Sequence, residues 1–366
     1  MKTKSTLMPL LLGTLIWLAA CSAPSPAPNT SAEAAAGEAN IAASPTAAPA
    51  ATPTPANAPS GKLIFIQLDA ANKTSLVQYD LATAEVSTLF TPADNGILLS
   101  ADVSPDGNQI IMAYAPPTPP DEVQFGYTGL YIMPTQGAGD PQLLVEKELP
   151  DEVYFNPVWS PDGEAVYYTH MGPDPASAEG YFAVTLERLD MSTGEIIPTA
   201  PDAIWPRVSA DGRRVTFAFS EPTSLRNELF VADWDGSHTT QLLNLDDFLA
   251  IDSPIFSPDG RTIYFSAVTP DTMTPQTSWW ERLLGIKVAS AHAIPSDWWR
   301  ILADGSAPPE RLTTIREVGL FGDFSPDGRY FAFISTASLY VMEPDSRNLT
   351  RLLDTETVGG ALAWVP

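Results

Sequence analysis

The chain carries a single cysteine, Cys21, in 366 residues. An internal disulfide is therefore excluded, and the fold must be held by its core. Histidine is scarce too: His170, His238 and His292 are the only three. A metal centre built from imidazoles is thereby disfavoured, since two histidines plus carboxylates is the most that one surface could assemble. Positive charge is short as well. Nineteen Lys and Arg stand against 44 Asp and Glu, a net charge of −25. That balance argues against nucleic acid, whose phosphates need cations. It argues equally against the protein body lying on an anionic membrane. There is no Gly-x-Ser-x-Gly nucleophile elbow, no Walker phosphate loop and no His-Glu-x-x-His zinc helix. No cofactor and no metal is expected. Paired carboxylates for sugar hydrolysis stay open, because many acids are present and their separation is not readable from sequence.

Leu7–Leu18 is an apolar run too short to span a bilayer as an ordinary helix. Lys2 and Lys4 precede it, and it ends in Leu18-Ala19-Ala20-Cys21. This resembles a bacterial lipobox, with 1–20 as signal peptide and Cys21 as the lipid attachment site. Two or more acyl chains would anchor the protein where one could not. Residues 21–60 are rich in Ala, Pro, Ser and Thr and cannot bury a core. They are expected to form a disordered tether reaching roughly 120 Å if fully extended as polyproline II. The globular domain is expected at 61–366.

What is present in abundance is a repeat. Trp-Ser-Pro-Asp-Gly at 159–163 returns as Val-Ser-Pro-Asp-Gly at 103–107 and as Phe-Ser-Pro-Asp-Gly at 256–260 and 324–328. Val-Ser-Ala-Asp-Gly at 208–212 lacks only the proline. The group suits a type I turn, with Pro pre-setting φ and Asp tolerating the third position. A β-branched or aromatic run follows each copy, for example Gln109-Ile-Ile-Met-Ala-Tyr and Thr262-Ile-Tyr-Phe-Ser. Third and fourth strands around a second turn complete each unit. Five continuous units are expected at about 98–146, 155–199, 205–243, 253–313 and 320–353. Gly359–Pro366, with Trp364 in the place of Trp159, is expected to complete a sixth unit with 61–91. The expected fold is all-β: a six-bladed β-propeller of four-stranded antiparallel blades, closed by the C-terminal strand joining the N-terminal blade.

These motifs resemble the Tol-type repeat of TolB-like β-propellers over residues 61–366. The same repeat occurs in lyases of plant-wall sugars and in the propellers of prolyl-oligopeptidase-like enzymes, so the resemblance implies a fold rather than an activity. Those lyases place several histidines around a metal, which three histidines cannot match. TolB has a small α/β domain before its propeller and is not lipidated. This chain has a lipobox and tether there, so membership of a Tol complex is not implied.

If the repeated turns join strands one and two, the long irregular loops fall on the opposite face. They include 116–127, 146–154, 170–181, 244–252 and an insertion of about 268–297 in the fifth blade. Loops carry function where a scaffold holds them, so this is the expected binding face. Within the insertion, 278–288 reads as a short amphipathic helix bearing Trp279, Trp280 and Arg282. With Tyr127, Tyr181 and Trp298 these are the candidate ligand or partner contacts, since Trp and Tyr favour hot spots; the alternative reading is that the paired tryptophans fold back over the propeller and bury themselves. The expected function is a non-catalytic scaffold for a cell-envelope protein or glycan, acting as a monomer outside the cytoplasm and touching the membrane only through its lipid. The alternatives are a carbohydrate-active hydrolase or lyase using loop-face carboxylates, and a passive structural envelope lipoprotein.

Overall fold

The computed structural model describes residues 58–366, apart from 137–138, 175–181, 221–226, 244–247, 271–293 and 346–347. Among the described residues, twenty-four strands form six four-stranded antiparallel sheets. The first sheet orders β24 (Thr357–Val365), β1 (Lys62–Leu68), β2 (Thr74–Asp80) and β3 (Val86–Phe90). The second runs β4 (Ile97–Val103), β5 (Gln109–Ala115), β6 (Gly129–Pro134) and β7 (Gln142–Val145). In the third, β8 (Val153–Trp159), β9 (Ala165–Pro173), β10 (Phe182–Asp190) and β11 (Ile196–Pro201) follow in order. The fourth is β12 (Ala203–Val208), β13 (Arg214–Ser220), β14 (Asn227–Asp233) and β15 (Thr240–Leu243). The fifth holds β16 (Ala250–Phe256), β17 (Thr262–Val268), β18 (Asp297–Leu302) and β19 (Glu310–Arg311). The sixth is β20 (Phe321–Phe324), β21 (Phe331–Ile334), β22 (Ser338–Met342) and β23 (Leu349–Asp354). The architecture is the six-bladed propeller, and β24 closes it by pairing Leu63 with Trp364 and Phe65 with Leu362.

The apolar runs are nearly continuous because blade faces are buried on both sides. Alternate residues of one strand serve opposite neighbours. Leu63 and Phe65 pack with Phe321, Ala332 and Val341 of the sixth blade. Ile64 and Ile66, one residue out of phase, pack with Leu98, Ile110 and Met112 of the second. The same logic places Tyr154, Trp159 and Tyr168 against Ile111 and Leu130, and Tyr167 against Phe217. The core is thus a ring of inter-blade clusters.

Each repeated turn joins the first and second strands of its blade. The glycine N–H donates to the serine carbonyl at 2.8–2.9 Å, closing the type I turn. The serine hydroxyl donates to the aspartate two residues on: 2.6 Å in Ser104–Asp106 and 2.5 Å in Ser160–Asp162. It also accepts the amide of the second strand's first residue, such as Ala165 at 2.9 Å. The hydroxyl and a following amide hold each turn aspartate below the ordinary carboxylate range. The glycines have φ between +67° and +72°, so the motif needs Gly for a left-handed position after the turn and not only for space. Val208-Ser-Ala-Asp-Gly keeps the same bonds without proline, with Ser209 donating to Asp211 at 2.6 Å. Serine and aspartate carry this turn, and both are architectural.

Turns between third and fourth strands lie beside these turns. Met191 N–H donates to Glu164 O, and Trp234 N–H to Arg213 O. The described loops between second and third strands, and those between blades, therefore occupy the other face. The expected helix at 278–288 lies outside the described residues.

Candidate functional site

The 116–128 loop, between β5 and β6, displays the two most exposed large apolar side chains among the described residues, Val123 and Phe125, with Tyr127 beside them. Val123 is 67 % exposed, Phe125 66 % and Tyr127 38 %. Its shape is fixed by polar bonds within the loop face. Asn95 Nδ2 donates to Thr118 Oγ1 at 2.9 Å, and Gln124 Nε2 to the Pro116 carbonyl at 2.8 Å. Gly126 adopts φ +74° and donates to Gln124 Oε1, which turns the chain so that two aromatic rings meet. Phe125 and Tyr127 stack at 5.6 Å with an 18° interplanar angle. Lys147 Nζ donates to the Tyr127 carbonyl and lies 6.0 Å from its ring centroid. Burial pushes the Lys147 ammonium below its usual range, and Glu152 and Asp151 oppose that fall. Asp121, Glu122, Glu146, Glu148 and exposed Leu149 flank this pair in sequence.

Beside it, buried Glu152 organises the 146–152 loop. Its Oε2 accepts the amides of Glu148 at 2.8 Å and Leu149 at 3.1 Å. Its Oε1 lies 3.6 Å from His170 Nε2, and His170 Nδ1 meets Glu187 Oε1 at 3.0 Å. The Tyr154 ring packs edge-on to the imidazole at 4.6 Å. Burial would lower the His170 pKa. The hydrogen bond and charge of Glu187, with the charges of Glu152 and Glu148, outweigh burial and raise it. Among the described residues no group of three or more His, Cys, Asp or Glu side chains is arranged to hold a metal ion.

A second polar feature lies where the innermost strands surround the central channel. Asp102 of β4 accepts the Trp159 amide at 2.8 Å, and Asp323 of β20 accepts the Trp364 amide at 2.8 Å. Each carboxylate thus ties its blade to the next. Burial raises both pKa values, and the Arg207 guanidinium of β12 partly offsets this. Asp323 is pushed up to about 7. A carboxyl whose folded pKa is raised costs nothing below its unfolded value, and its cost grows until the folded pKa is reached. The stability difference between Asp323→Asn and the parent should therefore move in the variant's favour between about pH 4 and 7, by roughly 2–4 kcal/mol. Above pH 7 it should level off. Denaturant melts at stepped pH check this, and a pH-independent difference would remove the assigned cost.

The structure brings only part of the sequence-predicted site together. Tyr127 is exposed on the loop face as expected. Trp298 is instead fully buried between the fifth and sixth blades, against Phe331 and Phe333, and offers no surface to a partner. Cys21, Tyr181, Trp279, Trp280 and Arg282 lie outside the described residues. Sequence reasoning missed Val123 and Phe125, although Val-Gln-Phe-Gly-Tyr is a conspicuous apolar stretch between acids and a strand. It also missed the Glu152–His170–Glu187 cluster.

No protein-family model matches the chain. An uncharacterised protein of Agrobacterium fabrum is 26 % identical over 252 residues, covering 56 % of this chain and 81 % of that protein. Among solved structures, TolB from Acinetobacter baumannii superposes with a TM-score of 0.57 at 17 % identity, over 84 % of this chain and 68 % of that one. An Agrobacterium tumefaciens protein assigned as TolB gives 0.54 at 19 % identity, over 82 % and 91 %. Both are β-propellers similar in fold to this one. A chain from a nidogen–laminin complex gives 0.55 at only 8 % identity, over 82 % and 97 %. These likenesses show a fold and name neither a role nor a ligand.

Proposed function

We propose that the protein is an extracytoplasmic, lipid-anchored and non-catalytic scaffold whose loop face docks a protein partner at Phe125 and Tyr127. The observation that supports this reading is the exposed, stacked aromatic pair on a hydrogen-bonded loop, bordered by carboxylates. Aromatic centres with polar rims are the anatomy of docking surfaces. Rigid rings also lose little entropy on binding. The acidic border favours a partner segment that carries Lys or Arg beside its apolar contact, because complementary charge steers encounter and suppresses wrong partners. Acylation of Cys21 would hold the propeller at a membrane, and 21–60 would set its standoff.

Phe125→Ser with Tyr127→Ser should reduce capture of envelope partners by more than tenfold in proximity labelling of whole cells, while the thermal midpoint moves little. Both side chains are surface groups, and such substitutions usually cost within about 0.5 kcal/mol. Unchanged labelling with an unchanged fold would remove this patch from the site. Cys21→Ser should release the protein from the membrane fraction; retention there would refute the anchor.

A further inference from the structure

We propose that His170, clamped between Glu152 and Glu187, is a pH-sensitive latch that orders the 146–152 loop and, through Lys147, the Phe125–Tyr127 docking patch. This inference rests on the docking reading for its purpose, but the latch itself exists or fails without any partner.

The contacts form one continuous chain. Glu187 of β10 takes the Nδ1 side of the imidazole, at 3.0 Å. Glu152, 7 % exposed in its side chain, faces the Nε2 side at 3.6 Å. The other oxygen of Glu152 holds the Glu148 and Leu149 amides. Lys147, one residue before, reaches the Tyr127 carbonyl, and Tyr127 stacks on Phe125. The loop thus hangs on one buried carboxylate that faces the imidazole and also lies in the field of the Lys147 ammonium.

The geometry suits the imidazolium. His170 Nε2 is buried without a hydrogen-bond partner. If His170 is neutral with its proton on Nδ1 toward Glu187, the Nε2 lone pair points at a carboxylate oxygen. Two acceptors then face each other in a site with little water. Protonation turns Nε2–H toward Glu152 Oε1 and places one positive charge between two negative ones. Three elements bring charge to the imidazole: Glu187 on β10, Glu152 at the entry to β8, and Glu148 on the loop. Tyr154 packs on it and stays neutral, its phenol pushed up by burial and by these same acids. Lys147 is the nearby cation, and it acts on the cluster through Glu152.

The sign follows from the direction of the shift. A histidine whose pKa is raised in the folded state stabilises fully below its ordinary value near 6.5. That contribution is lost as pH rises through the raised folded value. When the proton leaves, Glu152 and Glu187 face each other across a neutral ring, and Glu152 favours water over holding the loop. The patch is therefore ordered at acid pH and released at alkaline pH, a two-state element biased by one proton.

Amide exchange of Glu148 and Leu149 in the purified full chain, expressed as protection factors to cancel intrinsic rates, reads the latch directly. Protection should fall several-fold as pH is raised from about 5.5, below the ordinary imidazole value, to about 9. His170→Gln should abolish that dependence while protection in β9 and β10 persists. Should that variant fold poorly, Glu187→Gln removes one of the two anions and should move the transition to lower pH. Protection that is flat with pH, or a transition that either variant leaves in place, overturns the latch. A working latch with partner capture indifferent to Phe125 and Tyr127 would instead overturn the docking reading and leave the latch standing.

Discussion

Deletion of residues 357–366 is expected to abolish the cooperative thermal transition of the propeller. The strand removed is β24, the innermost strand of the first blade. Without it the β1 backbone opposite Leu362–Val365 loses its partners, at the centre of the ring where unpaired donors are costly. Two inter-blade clusters open together, because Leu362 and Trp364 serve one and Ala361 and Ala363 the other. Truncating one buried Trp costs about 3–5 kcal/mol and one buried Leu about 2–5. Those two side chains alone approach the roughly 5–15 kcal/mol by which domains are stable. The Asp323 carboxylate also loses the Trp364 amide that it binds. Near-ultraviolet circular dichroism should lose its fine structure, and a dye for exposed apolar surface should bind. A peptide spanning 355–366 added in trans should restore part of the transition. An unaltered cooperative melt would show that closure by β24 is dispensable.

Trp298→Ala is the second large effect, with an expected destabilisation of about 3–5 kcal/mol. The indole is fully buried and meets the Phe331 ring edge-on at 4.8 Å and 88°. Gly322 makes room for the cluster, since a Cβ there would stand 2.3 Å from Phe331 and 3.0 Å from Trp298. Nothing small can refill the space, because the neighbouring walls are rings on paired strands. Trp298→Phe should cost only about 1 kcal/mol: volume is lost, but a buried indole N–H without a hydrogen-bond partner is removed with it. Urea melts of the two variants distinguish these outcomes. An alanine variant as stable as the parent that captured less partner would return Trp298 to the surface. The contrast with Phe125 and Tyr127 is direct. Those substitutions should act on binding and spare stability, and Trp298 should do the reverse.

The repeated turn made the propeller legible because its chemistry is local. Ser, Asp and Gly satisfy one another within five residues, so spacing alone locates the start of each blade. Trp364 made ring closure legible for the same reason, by standing where Trp159 stands. The aromatic pairs were less readable. Trp298 and Trp299 sit on a strand, where successive side chains take opposite faces, so adjacency in sequence separates them in space. Composition alone cannot say which one the next blade will cover. The histidine cluster was least readable. Register places Tyr168 opposite Glu187 and His170 opposite Thr185, which brings His170 and Glu187 diagonally together on one face. A slip of one residue would part them, and no local signal in the sequence fixes that register.

The inner strands carry another pattern that becomes meaningful only in three dimensions. Asn156-Pro157, Trp205-Pro206 and Ser253-Pro254 take corresponding places in three successive blades. Asn156, Trp205 and Ser253 have φ of 50°, 52° and 50°, uncommon for residues with a side chain. Each marks a bulge in its pairing with the second strand of the blade. The following proline has no N–H to leave unpaired where the ladder breaks. Asn156 N–H instead donates to Ser100 Oγ of the preceding blade at 2.9 Å.

Closure by β24 also sets a schedule. The Trp364 indole N–H donates to the Ser60 carbonyl across 304 positions of chain. A ribosome adding about 5–20 residues per second leaves the opening blade incomplete for roughly 15–60 s after its first strand emerges. Over that interval the nascent polypeptide cannot lock, and long-range pairing of this kind is intrinsically slow to form. β24 is the clasp, and the ring stays open until that strand arrives.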